Sequence, residues 1–185
     1  GTLDARADIS PAVPRFGQTV WTQGYLGVQR CNFAIAGIEA SKAITEEARV
    51  ELLCEAKTLR GFYYLTLTNF FGDCPFYFDD VTDNAVMKRI ASLPRMDAKA
   101  TRDSIIVDLQ KIAPRASQTR TSDNEGHRLG AACAYMIIAK CAMWNKEWNV
   151  AVDALKELEK IYGKLSDYDL EENVMFRNKN TPESI

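Results

Sequence analysis

Histidine is nearly missing from this chain: His127 is the only one among 185 residues. One imidazole cannot supply a His-containing metal cluster or a Ser-His-Asp set with spare partners; at its position it reads as decoration at the start of a helix. Charge of one sign is not in excess. Lysine and arginine number 23 against 25 aspartates and glutamates, a net charge of −2. That balance gives no basic face of the kind nucleic-acid binding requires. Long apolar runs are missing too: the longest, Leu129 to Trp144, is interrupted by Lys140 and is shorter than the ~18 residues expected of a membrane span. There is no glycine-rich phosphate loop, because Gly24 and Gly27 lie inside a helical period rather than after a strand. No metal or cofactor motif emerges, and none is expected. No charged-then-apolar leader follows Gly1, so the natural start is expected upstream with any signal peptide or lipid anchor. Five cysteines (Cys31, Cys54, Cys74, Cys133, Cys141) form no C-x-x-C pair. Cys133 and Cys141 would sit roughly 12 Å apart along one helix, out of disulfide reach. Four of the five fall on apolar helical stretches, where a free thiol packs as a small hydrophobe.

What is present is a helical rhythm. The chain is 46% apolar and 26% charged, the balance of an ordinary folded domain. Residues 1–20 carry Pro11, Pro14 and Gly17 without an apolar period and read as an irregular N-terminal loop. From Trp21, the positions Trp21, Tyr25, Val28, Asn32 and Ile35 recur at alternating intervals of four and three, predicting a helix that fades near Ser41. A second helix is predicted from Thr45, whose hydroxyl can cap free amides while Glu46 and Glu47 sit against the positive end of the dipole. Its stripe is Leu53, Ala56, Arg60, Tyr63, Leu67 and Phe70; Gly72 and Pro75 stop it. Phe76 to Met96 reads as an excursion with a short helix near Ala85 to Ala91. A third long helix is expected after Asp97 as cap, with Ile105, Leu109 and Ile112 on one face and Pro114 at its end. Arg115 to Glu125 reads as polar loop.

The segment Gly126 to Trp144 is apolar nearly all round and is predicted to be an interior helix. Asn145-Lys146-Glu147 links it to a last helix with Trp148, Ala151, Leu155, Leu158 and Tyr162 towards the core, ended by Gly163. Such a short link favours antiparallel neighbours, and the pair fits the tetratricopeptide pattern, a helix-turn-helix repeat of about 34 residues. Ala139 and Ala151 take the small positions where the helices approach. The expected fold class is therefore all-α: tetratricopeptide-like antiparallel helix pairs, an α-α superhelix, with irregular loops.

Three segments also resemble a known family. The run Glu55-Ala56-Lys57-Thr58-Leu59-Arg60-Gly61-Phe62-Tyr63-Tyr64, continuing to Phe71-Gly72-Asp73-Cys74-Pro75, resembles the "EA-x-x-LRA-FYY … FGD-x-P" signature of the SusD/RagB family. Upstream, Trp21, Tyr25, Val28 and Asn32 are similar to its "W-x-x-x-Y-x-x-I-x-x-x-N" helix. Downstream, Pro94-Arg95, Ile105 with Asp108-Leu109, Leu129 to Met143, Trp148 with Ala151, and a closing Asn178 to Ile185 similar to "N-x-N-x-x-E-x-I" follow in the family's order. The resemblance covers roughly Trp21 to Ile185, so residues 21–185 are expected to form a SusD-like helical domain, a fragment of a longer protein. It implies a cell-surface lipoprotein that captures glycans or other nutrients for a SusC-like TonB-dependent transporter. By the same resemblance it sits on the extracellular face of the outer membrane, held by an N-terminal lipid anchor that precedes these residues.

Several residues carry two readings. Arg60 and Asn32 lie on apolar stripes, and a buried charge needs a partner; Asp108 is the expected partner of Arg60, with Asp73 in reserve. A polar clasp between helices is the leading reading and a ligand role the other. Glu46, Glu47, Glu51 and Glu55 suggest paired-carboxylate hydrolysis, but no cleft is apparent that would raise one carboxyl pKa, so a glycoside hydrolase, and any enzyme, ranks behind a binding protein. Trp21, Tyr63, Trp148 and Tyr162 fall on core stripes, so packing ranks ahead of sugar stacking. Phe16, near Arg15 and Asp8 in the opening loop, is better placed to meet a ligand. The competing class is a tetratricopeptide-type protein-interaction adaptor, which the segment Phe76 to Met96 would disfavour if it covered the concave face.

Overall fold

The computed structural model describes residues 15–124 and 128–167, apart from the side chains of Arg15, Phe16, Ser122 and Leu165. Six α-helices carry the fold: α1 (Arg15–Ala40), α2 (Glu46–Phe71), α3 (Asn84–Ala91), α4 (Ala98–Ile112), α5 (Ala131–Trp144) and α6 (Trp148–Tyr162). Short 3-10 turns occupy Ala113–Arg115, Thr121–Asp123 and Leu165–Asp167. The described residues contain no strand, only one antiparallel bridge between Cys74 and Met96. The fold is all-α and tetratricopeptide-like.

Each long helix begins and ends for a local reason. Thr45 caps α2, accepting from the Ala48 amide at 3.2 Å, with Glu46 and Glu47 in the first turn. Gly72 ends it at φ 65°, a left-handed conformation cheap only for glycine, and returns its amide to the Thr68 carbonyl. Asp97 caps α4 through the Ala100 amide and Asp83 caps α3 through those of Ala85 and Val86. The C-terminus of α1 has no glycine cap; instead the Arg49 guanidinium donates to the carbonyls of Ile38, Glu39 and Ser41, which would otherwise lack partners.

Antiparallel pairing follows from which residues meet. Gly17 faces Phe71, Gly27 faces Tyr63 and Asn32 faces Arg60, so α1 runs against α2. α4 packs on α2 and α5, and α6 packs on α5. The centre of the core lies where α2, α4 and α5 converge on Gly61. A Cβ there would come within 2.9 Å of Ile105 Cγ2, 3.1 Å of Ile137 Cγ2 and 3.4 Å of Leu109 Cδ1, so the absence of a side chain sets how closely α2 approaches its neighbours.

Several sequence expectations change on folding. α1 starts at Arg15, so residues 15–20 of the expected irregular loop are helical. α5 starts at Ala131 rather than Gly126. Gly130 is extended, the Ala131 amide is held by the Ser117 carbonyl, and Asn124 and Glu55 engage Arg128. His127 lies outside the described residues. On α2, Leu53, Ala56, Arg60 and Leu67 are buried as the stripe predicts, but Phe70 is exposed, while Cys54, Tyr64 and Leu65 are buried beside them. With neighbours on more than one side, α2 buries more than a single stripe. On α6, Ala151, Leu158 and Tyr162 are buried whereas Trp148 and Leu155 are exposed, with Ala154 taking the expected core place of Leu155. Among the described helices α6 packs chiefly on α5, which covers one narrow arc. All five cysteines are free; Cys31, Cys54, Cys74 and Cys141 are buried and Cys133 is half-buried.

Two measurements test this packing. Ala139 and Ala151 are both buried at the α5–α6 contact, and Ala151→Leu should destabilise the protein by about 1–3 kcal/mol through overpacking, read as a lower urea midpoint. Burial pushes the Cys54 and Cys141 thiols from 9.0 up to about 12. Because the folded state keeps these thiols protonated longer than the unfolded state does, their contribution is complete below pH 9 and is lost between pH 9 and 12. A urea titration series should therefore show stability falling above pH 9 by up to about 1.4 kcal/mol per pH unit for each thiol.

Candidate functional site

The polar centre of the molecule is built from α1, α2, α4 and the segment that leaves α2. Arg60 is only 3% exposed. Its Nη1 donates to Asn32 Oδ1 at 2.8 Å and its Nη2 to Asp108 Oδ2 at 2.7 Å. The other carboxylate oxygen of Asp108 accepts from Lys57 Nζ at 2.8 Å, one helical turn earlier on α2. The guanidinium also lies over the Phe78 ring, 3.6 Å from its centroid, and Nε, which has no acceptor, belongs to this stacked group. Desolvated stacking of this sort contributes up to about 2 kcal/mol.

Asn32 continues the network outward. Its Nδ2 donates to the Asp79 carbonyl at 3.1 Å and, more distantly, to that of Tyr77 at 3.4 Å. Tyr64 Oη donates to the Tyr77 carbonyl at 2.8 Å and accepts from the Tyr77 amide at 3.0 Å, while Tyr25 Oη donates to the Pro75 carbonyl at 2.7 Å. Residues 75–79 are therefore a strap whose backbone is satisfied by side chains of α1 and α2 rather than by a ladder of strands. Phe76 and Phe78 pack beneath it against Tyr64 and each other, with centroids 4.9 and 4.8 Å apart. The Cys74–Met96 bridge closes its near end, with bonds of 3.1 and 2.9 Å. Burial raises the hydroxyl pKa of both Tyr25 and Tyr64, keeping each a neutral donor.

The structure thus brings Asn32, Arg60 and Asp108 together. Asp73 is placed elsewhere: its Oδ1 accepts from the Ala98 amide and its carbonyl from Arg95. Asp8 lies outside the described residues, and Arg15 and Phe16 form the first turn of α1. The strap's grip on the clasp gave no sequence signal, because it depends on backbone carbonyls, which every residue has.

The acidic row on α2 is engaged in holding the frame. Glu46 pairs with Arg115 at 2.7 Å and Arg49 at 3.3 Å, Glu51 accepts from the Ser117 amide at 2.7 Å, and Glu55 pairs with Arg128 at 2.7 Å. Glu47 is exposed, and hydrogen bonds from its own backbone amide and from Thr45 lower its carboxyl pKa, the opposite of what a general acid needs. An open hollow of about 330 Å³ is lined by Pro114, Gln118, Tyr135, Glu157, Lys160 and Ile161; within it Glu157 and Lys160 pair at 2.6 Å. No metal-ligand cluster occurs among the described residues, and none of the described helices is long and apolar enough to cross a membrane. Among the described residues the exposed aromatic rings are Phe33, Phe62 and Phe70 on α1 and α2, and Trp144 and Trp148 about the α5–α6 turn.

A stack of helical hairpins locked by an internal polar clasp defines a tetratricopeptide-like scaffold. Known proteins resolve its kind further. The SusD-like family model described as "Starch-binding associating with outer membrane" matches residues 15–141, and the chain belongs to that family. A SusD-like protein of Formosa agariphila is 26% identical over 155 residues, which are 84% of this chain and 28% of that protein. Surface glycan-binding protein A from Bacteroides uniformis is similar in structure at a TM-score of 0.66 and 25% identity, over 83% of this chain and 33% of that one. The corresponding protein of Bacteroides thetaiotaomicron, solved in complex with laminarihexaose, matches in fold at a TM-score of 0.64 and 24% identity, over 82% of this chain and 30% of its own. The chain therefore spans 28–33% of the length of these relatives.

Removing Asp108 tests the clasp. Asp108→Ala leaves two cations facing a site without its anion and should cost about 3–5 kcal/mol, measured by urea unfolding. Replacing the pair together, Arg60→Met with Asp108→Leu, should recover most of that loss; an Asp108→Ala protein as stable as wild type would show that the clasp contributes nothing.

Proposed function

We propose that this chain is part of a non-catalytic cell-surface lipoprotein that captures a glycan or other nutrient and delivers it to a SusC-like TonB-dependent transporter. The observation that carries this reading is the match of residues 15–141 to the SusD-like family. The scaffold is consistent with it. A clasp in which every charged member has a counterpart holds shape, and the carboxylates of α2 are paired or solvated, so binding would rest on shape, stacking and hydrogen bonds. Asp8, Arg15 and Phe16 are the proposed ligand contacts, on the ground of their place ahead of the first helix stripe. Anchoring would be by an N-terminal lipid on the extracellular face of the outer membrane, with no cofactor involved. The strap over α1 and α2 weighs against the peptide-binding adaptor, because it occupies helix surface that a peptide would otherwise use.

Affinity electrophoresis in gels containing laminarin or starch, with laminarihexaose as soluble competitor, tests this directly. Retardation is expected, with the competitor recovered at unchanged chain length, and Phe16→Ala should weaken retention several-fold. Release of shorter oligosaccharides would make the protein an enzyme and end the non-catalytic reading. Co-purification from membranes should bring down a large β-barrel transporter; recovery of soluble peptide-bearing partners in its place would favour the adaptor.

A further inference from the structure

The two edges of the helix stack differ in a way that the capture function does not explain. At one edge, α1 turns Gln18, Thr22, Gln23, Gln29 and Arg30 outward, with Phe33 the one large apolar side chain exposed on it among those described. At the other edge, α6 exposes Trp148, Val152 and Leu155, which recur at i, i+4 and i+7 and so share one face. Trp148 is 61% exposed.

These residues are not the core stripe, which is Ala151, Ala154, Leu158 and Tyr162. At about 100° per residue the two arcs are adjacent and together span about 160° of the helix, about half as wide again as the ~100° apolar stripe of a helix with one covered face. Asn149, Asp153, Lys156, Glu157 and Lys160 lie on the opposite side, and Glu159, exposed one turn beyond Leu155, is the charged residue that falls within the outer arc. Met143 and Trp144, the last residues of α5, are exposed as well, Trp144 to 58%, and extend the apolar surface across the turn. That turn is held rigidly. Asn145 accepts from Arg102 Nε at 2.6 Å and donates to Asp103 at 2.6 Å, and Glu147 pairs with Lys99 at 2.6 Å.

In stacked repeats the terminal unit presents a polar outer face, because each interior unit needs a neighbour to bury its second apolar face. By that criterion α1 is a finished edge and α6 is an interior helix. The matched relatives are long enough to supply a neighbour, since the region shared with this chain is 28–33% of their length. We infer that the outer face of α6, with the end of α5, is an intramolecular interface receiving an amphipathic helix from elsewhere in the same encoded polypeptide. Trp148 is its central anchor: a large, rigid ring that buries much area at little entropic cost.

The test uses the polypeptide as its gene encodes it. Hydroxyl-radical footprinting read by mass spectrometry compares oxidation of Trp148 in the native protein with that in urea. At least tenfold protection of Trp148 is expected, although more than half of its surface is exposed in the residues described. Trp148→Lys combined with Leu155→Lys should lower the thermal midpoint of the same polypeptide. Oxidation of Trp148 at the unfolded rate, or a double variant with an unchanged midpoint, overturns the inference. Protection that disappears on dilution would assign the face to a second copy of the chain, and protection retained when residues 1–185 are prepared alone would mean that the face is already covered. Each of those results also overturns it. Glycan retention plays no part in the outcome, so the inference and the proposed capture function fail separately.

Discussion

Arg60 is charged, almost fully enclosed, and held by groups from three separate parts of the chain. An enclosed guanidinium left without partners costs several kcal/mol, so the fold is viable only when Asn32, Asp108 and Phe78 all arrive. Asn32 fixes how far α1 slides along α2, and Asp108 does the same for α4. Phe78 brings the strap down over both. The clasp contributes less through its raw strength, which desolvation largely offsets, than through excluding arrangements in which one contact is missing.

The apolar core does a different job around that point. Gly61 lets Ile105, Leu109 and Ile137 approach the backbone of α2, and α5, buried along most of its surface, joins this junction to α6. The helices are thus fixed relative to one another by a central polar lock and by close packing on either side. Loops such as the strap take their shape from side chains on the helices, with Tyr25 and Tyr64 supplying hydroxyls to backbone groups. The family to which the chain belongs is described as starch-binding and associating with the outer membrane.

Much of the frame was legible from one sequence. The caps Thr45 and Asp97, the stop at Gly72 and the short helix ending at Ala91 depend on local chemistry, and local chemistry is written in neighbouring residues. The partnership of Arg60 with Asp108 was also accessible, since a cation on an apolar stripe demands an anion and Asp108 precedes Leu109 on another stripe. Less legible were the outer limits of burial. Trp148 and Leu155 have the spacing of core residues, yet whether such a stripe is covered depends on what lies beside the helix. Phe70 fails for the same reason at the end of α2, and Lys57 joined the clasp without any sequence signal because its flexible stem can reach many places.

By itself, then, the order of residues determined the helices, their ends, the antiparallel hairpin of α5 and α6, and the family signature, because each is set by interactions a few residues apart or by an ordered pattern. Only the tertiary structure decided which apolar faces are enclosed, that the strap's backbone carbonyls complete the clasp, and that one edge of the stack is polar while the other is not. Those outcomes depend on contacts between residues tens of positions apart, such as Asn32 with Tyr77 and Asp79 or Arg60 with Asp108, and periodicity along one helix carries no information about its neighbours.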